Sequence, residues 1–530
     1  MKAFLMYRDR DFDLSWRLPS NEPVLSRDLE ANKAFNATAR DFDPQRKLSS
    51  NEQGLIQDLE LNTLFDAMAL SDKFLFEVAK IAVLSGLDND LGTIQYRQNI
   101  LKDCLKNPAV IREMYDIAVE SIENERKSYF SIFSRYTASV LHSAIEVLQM
   151  FVGALKRLRR IAEKDGNKFQ SEGFTTLFAM LQRELGDEFF ARVETHLREL
   201  KFRNGVLISA ELGKGNKGAH YVLRKAPDKK QSWMERIFVQ KTPGYTFQIH
   251  PRDESGARAL SELQARGTSL VANALAQSTE HILSFFDMLR TELAFYVGCL
   301  NLQGQLAQLG EPLSFPVPVA PAERRHSFDG LYDVCLALSM KRKIVGNDAN
   351  ADDKNLLIIT GANRGGKSVF LRSIGLAQLM MQCGMFAPAE SFSSTLCDGL
   401  FPHYKREEDT SMKSGKFDEE LSRMSDIVDH ITPNSMLLFN ESFGATNERE
   451  GSEIARQIVS ALLETHIRIF FVTHLYEFAC GFFATKMEEV LFLRAERQAD
   501  GRRTFKLFEG EPLQTSYGKD LYNQIFGTDN

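Results

Sequence analysis

The feature that most constrains the fold of this sequence is an apolar run that leads directly into a glycine-rich turn. Residues 356–360, Leu-Leu-Ile-Ile-Thr, have the composition of a buried strand, and residues 361–368 follow as Gly-Ala-Asn-Arg-Gly-Gly-Lys-Ser. The residues after Ser368 have the apolar spacing of a helix. This order of elements indicates an α/β domain with a phosphate-binding loop at the end of the strand.

The loop contains the residue types that a nucleoside triphosphate and its metal ion need. Glycines let backbone N–H groups turn inward, Lys367 can reach the β- and γ-phosphates, and Ser368 can ligate Mg²⁺. We therefore predict that the loop binds ATP with Mg²⁺. The predicted binding residues are Gly361, Asn363, Arg364, Gly365, Gly366, Lys367 and Ser368.

Two later apolar runs end in residues that suit a reaction at the γ-phosphate. Residues 436–439 precede Asn440 and Glu441, and residues 469–472 precede Thr473 and His474. In phosphate-loop enzymes the first such strand delivers an acid toward the metal, and a following glutamate activates water. Because Asn440 is an amide, it adds no negative charge toward Mg²⁺. We predict slow ATP hydrolysis, with Glu441 and His474 as catalytic residues and Asn440 beside Ser368 at the metal.

Outside these motifs, the spacing of apolar residues changes several times along the sequence. Apolar positions recur at helical spacing over residues 71–200 and again over 253–320, with scarcely any Pro or Gly in the first stretch. Short β-prone runs separated by turns fill residues 201–252, with one run at 236–249. Strand and helix patterns alternate over 321–530. We predict a β insertion at the far tip of two helical arms, followed by the α/β domain.

The first segment, residues 1–70, contains a duplication with a period of thirty residues. Residues 10–13 recur as residues 40–43, both reading Arg-Asp-Phe-Asp, and residues 28–30 recur as residues 58–60, both reading Asp-Leu-Glu. Two copies are too few for a solenoid. Two interpretations remain open: a duplicated helical hairpin that packs on the helices after residue 70, or an element that binds a peptide or DNA.

Charge is distributed unevenly along the chain. The formal net charge of −6 excludes a polycation that binds nucleic acid through its global field. Residues 201–245, however, hold ten Lys or Arg against three Asp or Glu. We predict phosphate contacts in this segment, made by Lys214, Lys217, Arg224, Lys225, Lys229 and Lys230. A second cluster, Lys156, Arg157, Arg159 and Arg160, is interpreted either as a solvated face or as a phosphate-contacting face.

Cysteine usage and hydropathy bear on the compartment. The six cysteines are scattered without a Cys-x-x-Cys pair, so they predict neither a zinc site nor a disulfide framework. No apolar window reaches the length of a membrane span. We expect a cytoplasmic protein with free buried thiols and no membrane partner.

Together these motifs resemble those of the MutS family of ATPases. Residues 360–368 are similar to that family's TGPNMGGKS loop, and residues 440–447, Asn-Glu-Ser-Phe-Gly-Ala-Thr-Asn, resemble its DEIGRGTS box. Residues 472–474 look like the ATH switch, and residues 515–518 resemble the close of the ATPase domain. The resemblance implies an α/β P-loop ATPase domain joined to a mostly α-helical lever region with a small β-rich clamp-like insertion. It also implies a homodimer with composite nucleotide sites.

The sequence departs from the family pattern at several positions. Residues 413–417 stand where the family has GRSTF, so the resemblance implies that Ser414 and Gly415 touch the opposite subunit's nucleotide. Ile344 stands where the family stacks an aromatic ring on adenine. Asn440 replaces the family's Asp. No segment resembles the amino-terminal mismatch-reading domain, so we expect branched or otherwise structured DNA as the target.

Two functions follow from these observations. The first is an ATPase of the MutS type in which ATP binding and hydrolysis control a dimeric clamp on structured or mismatched DNA. The alternative is a non-hydrolysing, ATP-gated scaffold that binds a protein partner. Glu441 favours the first function, and Asn440 favours the alternative.

Overall fold

The computed structural model describes residues 1–12, 50–130, 137–202, 205–225, 245–405, 415–498 and 501–513. The chain forms two compact units. The helical unit contains Met1–Ala3, Arg112–Phe169 and Thr175–Arg290, and the α/β unit contains Phe4–Ile111, Gln170–Phe174 and Thr291–Asn530. The division into residues 1–70, 71–200, 201–252, 253–320 and 321–530 remains a prediction.

Four helices of the α/β unit lie within residues 50–106. They are α1 (Ser50–Asp58), α2 (Leu61–Ala69), α3 (Lys73–Leu84) and α4 (Leu91–Lys106). Aspartates cap two of them: Asp72 accepts the backbone N–H groups of Phe74 and Leu75, and Asp90 accepts that of Thr93. Such caps satisfy N–H groups that have no partner within a helix, and so they fix where α3 and α4 begin.

Long helices dominate the following residues, as the apolar spacing predicted. They are α5 (Pro108–Phe130), α6 (Thr137–Asp165), α7 (Glu172–Glu184), α8 (Asp187–Glu199) and α9 (Glu254–Leu309). A hairpin of two antiparallel strands, β1 (Leu207–Leu212) and β2 (Gly218–Arg224), lies within the helical unit. The run predicted at 236–249 is not a strand in its described part, 245–249. Tyr245 and Phe247 are 93% and 81% exposed, so that part has no packed face to support a strand.

Three members of the basic cluster on α6 form ion pairs within the helical unit. The Lys156 ammonium lies 2.5 Å from a carboxylate oxygen of Glu194, and the Arg157 guanidinium lies 2.6 Å from one of Glu120. Arg159 contacts Asp187 at 2.5 Å. Because neighbouring carboxylates balance these charges, the geometry favours the solvated face over a phosphate-contacting one.

The α/β unit is built on two sheets. The six-stranded sheet has the order β12-β11-β6-β10-β9-β8, and the four-stranded sheet has the order β3-β7-β4-β5. The strands of this unit are β3 (Val317–Val319), β4 (His326–Leu331), β5 (Asn347–Asn350), β6 (Leu356–Gly361), β7 (Ser391–Thr395), β8 (Leu400–Tyr404), β9 (Met436–Asn440), β10 (Arg468–Val472), β11 (Val490–Arg497) and β12 (Arg503–Glu509). Its helices after α9 are α10 (Val334–Met340), α11 (Lys367–Gln382), α12 (Lys416–His430), α13 (Glu448–Glu464) and α14 (Tyr476–Thr485).

Apolar composition explains the centre of the large sheet. Every residue of β6 is buried, and β6 pairs in parallel with both β10 and β11. Strands covered on both faces are continuous apolar runs, which is why β6, β9 and β10 could be predicted from the sequence. Parallel strands place their carboxyl ends at one edge of the sheet, and this edge carries the candidate site.

A buried carboxylate holds the first residues of the α/β unit. Glu292, which is fully buried, accepts backbone N–H groups from Met6 at 2.6 Å and from Phe12 at 3.0 Å, and also that of Leu5. Burial raises the pKa of Glu292 to about 7, although these three hydrogen bonds oppose the shift. The opening segment is thus part of the core, with Tyr296 donating a further hydrogen bond to the Leu5 carbonyl.

The state of the cysteines and the hydropathy of the helices were both addressed by the sequence. All six cysteines are free thiols, five of them buried. Within the part of the chain that the structure describes, no helix combines the length and apolarity of a membrane span.

Candidate nucleotide site

The site is assembled at the carboxyl ends of three adjacent parallel strands. β10 lies between β6 and β9, and the register pairs Val472 with Ile359 on one side and with Asn440 on the other. Backbone bonds continue past the strands, because the Glu441 N–H donates to Val472 O at 2.9 Å and the Thr473 N–H donates to Ile359 O at 3.1 Å. The sheet therefore brings the ends of all three predicted motifs together.

The glycine-rich loop between β6 and α11 requires its glycines. Gly361 has φ +110°, and a Cβ atom there would lie 2.8 Å from the backbone nitrogen of Ala495. A Cβ atom on Gly365 would lie 2.8 Å from Ala362 O, and Gly366 has φ +90°. L-side chains avoid such conformations and such contacts. The loop thus presents bare backbone at the amino-terminal end of α11, where the helix dipole attracts anions.

Lys367, the first residue of α11, is buried against the loop. Its Nζ donates hydrogen bonds to Gly361 O at 3.0 Å and to Ala362 O at 3.1 Å. Burial lowers the pKa of Lys367 to about 8, although the neighbouring Glu441 carboxylate opposes the shift. Carbonyl oxygens stand here in place of the anionic partner that a buried ammonium group requires.

Ser368, the residue after Lys367, is in contact with Asn440 at the end of β9. Ser368 Oγ donates a hydrogen bond of 2.8 Å to Asn440 Oδ1. A hydroxyl and an amide oxygen are suitable ligands for Mg²⁺ or for its bound waters, but both are neutral. The two residues would fit a magnesium ion whose charge is balanced mainly by a bound anion.

Glu441 and His474 are in direct contact. Glu441 Oε1 and His474 Nε2 lie 2.7 Å apart. The hydrogen bond with His474 lowers the pKa of Glu441 more than partial burial raises it, and the positive charge of Lys367 lowers it further. Glu441 also has φ +56°, a strained conformation for a residue with a side chain. The carboxylate is therefore ionised and held beside the loop.

Lys367, Ser368 and Glu441 line one cavity of about 610 Å³. Residues 363–370 and Glu441 are part of its wall. Ile344 also lines the cavity, with its backbone N–H donating to Glu311 Oε1 at 2.8 Å. The volume is in the range of cavities that hold small-molecule ligands.

Two further residues beside the loop, Phe505 and Arg503, were not predicted from the sequence. Phe505 of β12 lines the cavity, and the ring lies beside Gly366, where Phe505 Cδ1 is 3.6 Å from the position of an added Cβ. Arg503 Nε donates a hydrogen bond of 3.2 Å to Asn363 O of the loop. Alternation in residues 503–509 indicates only a strand, so no sequence signal connects either residue with the loop.

Of the two residues assigned to the opposite subunit's nucleotide, only Gly415 is among the described residues. Gly415 precedes α12 and does not line the cavity, and an added Cβ would meet no atom within 4 Å. Ser414 lies outside the described residues. Within α12, Glu420 accepts the Phe443 N–H at 2.9 Å, and burial raises the pKa of Glu420. This contact connects α12 with the loop that follows Glu441.

Four of the six predicted DNA-contacting residues are described, and they lie in or directly after the hairpin of the helical unit. Lys214 and Lys217, in the turn between β1 and β2, are exposed. Arg224 is exposed and donates to Ser209 Oγ at 2.9 Å, and Lys225 lies 3.0 Å from a carboxylate oxygen of Glu199. Lys229 and Lys230 lie outside the described residues.

Comparison with known proteins gives two family matches along the chain. Residues 89–309 match the MutS2 N-terminal domain, and residues 357–523 match MutS domain V. The second match contains the loop, Asn440, Glu441 and His474.

Curated relatives give the same result at low identity. The DNA mismatch repair protein MutS of Leuconostoc citreum is 27% identical over 219 residues, which is 41% of this chain and 25% of the relative. That of Lactobacillus johnsonii is 24% identical over 55% of this chain and 34% of the relative. That of Porphyromonas gingivalis is 35% identical over 25% of this chain and 16% of the relative. The chain thus spans about a third or less of the length of these relatives.

Proposed function

We propose that this chain, which is MutS-like at the level of the family, binds ATP with Mg²⁺ and hydrolyses ATP slowly to control a clamp on DNA. One observation carries the proposal: Lys367, Ser368 and Glu441 line one cavity, Asn440 contacts Ser368, and all four residues lie within the match to MutS domain V. An α/β sheet edge with a glycine-rich loop is a suitable site for phosphates.

Binding requires a rearrangement of Lys367. Its ammonium group donates to the carbonyls of Gly361 and Ala362, and a phosphate would replace these weaker acceptors. The backbone N–H groups of residues 363–366 and the amino-terminal end of α11 would hold the remaining phosphate oxygens. When bound beside Ser368 and Asn440, Mg²⁺ would neutralise phosphate charge. Phe505, on the same cavity wall, offers a ring on which a purine base can stack.

Hydrolysis would use Glu441 as the base. A water oxygen forms the new bond to the γ-phosphorus while the bond to the β–γ bridging oxygen breaks, and the Glu441 carboxylate takes the water proton. The lowered pKa keeps this carboxylate ionised at neutral pH, and Oε1 is held by His474 Nε2. Because the amide of Asn440 adds no negative charge at the metal, we expect turnover to be slow.

Two chains would complete each nucleotide site. By the resemblance, Ser414 and Gly415 would contact the nucleotide of a second copy, and Gly415 lies outside the chain's own cavity. The hydrogen bond from the Phe443 N–H to Glu420 supports coupling between this interface and Glu441. Dimer formation would then respond to the state of the nucleotide.

DNA would be held by the hairpin of β1 and β2. Lys214, Lys217 and Arg224 are exposed there, and contacts with phosphates would position DNA without reading its sequence. A branched substrate can engage both clamps of a dimer at once, which raises its affinity above that of a linear duplex.

One observation favours a second function. The Ser368 to Asn440 hydrogen bond joins two neutral groups where the family pattern has an acid, so the site suits ATP binding more clearly than ATP cleavage. A non-hydrolysing, ATP-gated scaffold for a protein partner is therefore the alternative.

A binding panel tests the leading function. Mismatched, branched and plain duplex DNA would be filtered with the protein, with and without ATP, while phosphate release is measured in parallel. We expect ATP-dependent retention of branched DNA with slow turnover. ATP binding without DNA retention or phosphate release would favour the scaffold.

A further inference from the structure

The duplication meets the α/β unit at two places, one from each copy. The described residues include the start of the first copy, up to Phe12, whose backbone binds Glu292. They also include the end of the second copy, α1 and α2. The two described segments therefore supply the beginning and the end of a single repeat.

The second copy is anchored on α11 and α12 by a short set of contacts. Leu59 is fully buried against Gly375 of α11, with Leu59 Cδ1 3.1 Å from the position of an added Cβ. Asp58 lies 3.4 Å from the guanidinium of Arg423, and Glu60 pairs with Arg372. These contacts define what we term the repeat-docking surface, formed by Arg372, Gly375 and Arg423.

The first copy has the same anchoring residues at the same spacing. Asp28, Leu29 and Glu30 match the three anchors of the second copy. Further matched residues are Asn21 with Asn51, Glu22 with Glu52, Leu25 with Leu55, Asn32 with Asn62 and Phe35 with Phe65. Asn51 Nδ2 donates to Leu400 O, and Leu55 and Phe65 are buried, so these matched positions also bear on docking.

Two sequence differences indicate which copy docks more strongly. Ala31 and Ala34 replace Leu61 and Leu64, both of which are fully buried in the docked copy. Smaller side chains at these positions would leave cavities, which makes the first copy the weaker occupant. Val24 replaces Gly54, where an added Cβ would lie 3.9 Å from Pro402 Cγ, an ordinary contact.

The chain can reach the surface from the first copy. Arg97 donates to Met6 O at 2.8 Å and to Cys383 O at 3.3 Å, which places the opening segment at the carboxyl end of α11. Gly375 lies eight residues earlier, about 12 Å along a helix. Residues 13–19, fully extended, bridge roughly 26 Å between Phe12 and residue 20.

We propose that the repeat-docking surface accepts either copy, with the second copy as resident and residues 20–37 of the same chain as a weaker exchange partner. In the exchanged state, residues 28–30 would replace residues 58–60 on the repeat-docking surface. Arg372 also pairs with Asp333, which lines the nucleotide cavity, so the exchange acts on a wall of that cavity.

The test weakens each copy in turn with matched substitutions. One variant carries Asp58→Lys, Leu59→Asp and Glu60→Lys, and its matched control carries Asp28→Lys, Leu29→Asp and Glu30→Lys. Hydrogen exchange is followed by mass spectrometry in peptides from 20–37 and 50–69. In the first variant we expect protection to move to residues 20–37, with exchange at least ten-fold slower there than in wild type. The control should keep wild-type protection at 50–69.

Three outcomes would overturn the proposal. Unprotected 20–37 in the first variant would show that the first copy does not dock. Protection that strengthens with protein concentration would assign docking to the segment of a second copy instead. Combining all six substitutions should remove protection from both segments and lower Tm below that of either parent. A combined variant as stable as the first variant would show that the first copy contributes nothing.

Discussion

Ser368 Oγ and Asn440 Oδ1 are joined by a hydrogen bond of 2.8 Å that links the first turn of α11 to the end of β9. The pair brings two oxygens to the place where a metal ion would sit, and neither oxygen carries charge. Charge at this position therefore decides how well the site retains magnesium.

Asn440→Asp should accelerate ATP hydrolysis about ten-fold and lower the magnesium concentration at half-maximal rate, because a carboxylate restores negative charge at the metal. Steady-state phosphate release against Mg²⁺ measures both effects. Asn447→Asp, which changes the capping residue of α13 in the following loop, is the matched control and should leave turnover unchanged. Brisk wild-type turnover that slows in Asn440→Asp would mean that the amide is an adapted part of the site.

Glu441→Gln should reduce turnover by roughly 100-fold or more while leaving ATP affinity within a few-fold of wild type, because the amide cannot take the water proton. Single-turnover hydrolysis and equilibrium binding separate the two quantities. Glu464→Gln, at the end of α13, serves as a control of equal chemistry. Turnover that survives in Glu441→Gln would assign the base to another group.

ATP affinity should fall about ten-fold between pH 7 and pH 9, because Lys367 titrates near pH 8 in the free protein and only its charged form attracts phosphate. Binding then raises the pKa, so the protein takes up a proton at pH 8 to 9. Titration calorimetry in two buffers of different ionisation enthalpy detects that uptake.

Lys367→Ala should abolish nucleotide binding in a folded protein and remove the proton uptake with it. Raising the pH has the opposite effect on the stability of the fold from its effect on ATP affinity. The folded pKa lies below the unfolded value of 10.5, so the stability penalty of the buried charge is present below pH 8 and is relieved as pH rises toward 10.5. Unchanged ATP affinity in folded Lys367→Ala would reject the site.

The chain should dimerise when a non-hydrolysable ATP analogue is bound, as measured by sedimentation velocity at micromolar concentration. Gly415→Arg should prevent this without disturbing the fold, because an added Cβ at Gly415 meets no atom within 4 Å. Gly481→Arg has the same open surroundings and should still dimerise. A strict monomer with nucleotide bound would reject composite sites.

Replacing Lys214, Lys217 and Arg224 by Glu should weaken binding to a four-way junction and flatten its salt dependence by about three counterions. Filter binding from low to moderate salt measures the slope. Replacing Arg160, Lys164 and Arg183 by Glu makes the same change in charge at other exposed positions of the helical unit and should alter neither quantity. Undiminished junction binding, or a wild-type preference for a mismatched duplex, would place the DNA site or its target elsewhere.

The sequence predicted those strands and helices whose own residues have a clear apolar pattern. β6, β9 and β10 are continuous apolar runs, and α9 follows from helical spacing. The positions of Phe505 and Arg503 depend instead on the pairing of β12 with β11 and of β11 with β6, which joins residues about 140 positions apart. Such long-range pairing leaves no mark on a local window.

The contacts that shift the pKa values of Glu441 and Glu420 could not be predicted from the sequence either. The Asn440-Glu441 pair stands out at the end of its strand, but neither the left-handed backbone at Glu441 nor its contact with His474 can be read from the sequence. Glu420 lies on an ordinary amphipathic helix, and only the folded structure brings it to the Phe443 N–H.

Glu292 and the opening segment that it binds are synthesised far apart in time. Phe12 leaves the ribosome 280 residues before its carboxylate partner. At a translation rate of about 5–20 residues per second, Glu292 is synthesised roughly 15–60 s after Phe12. The core of the α/β unit therefore cannot close while the helical unit is still being translated, and the nascent chain carries exposed apolar residues for that interval.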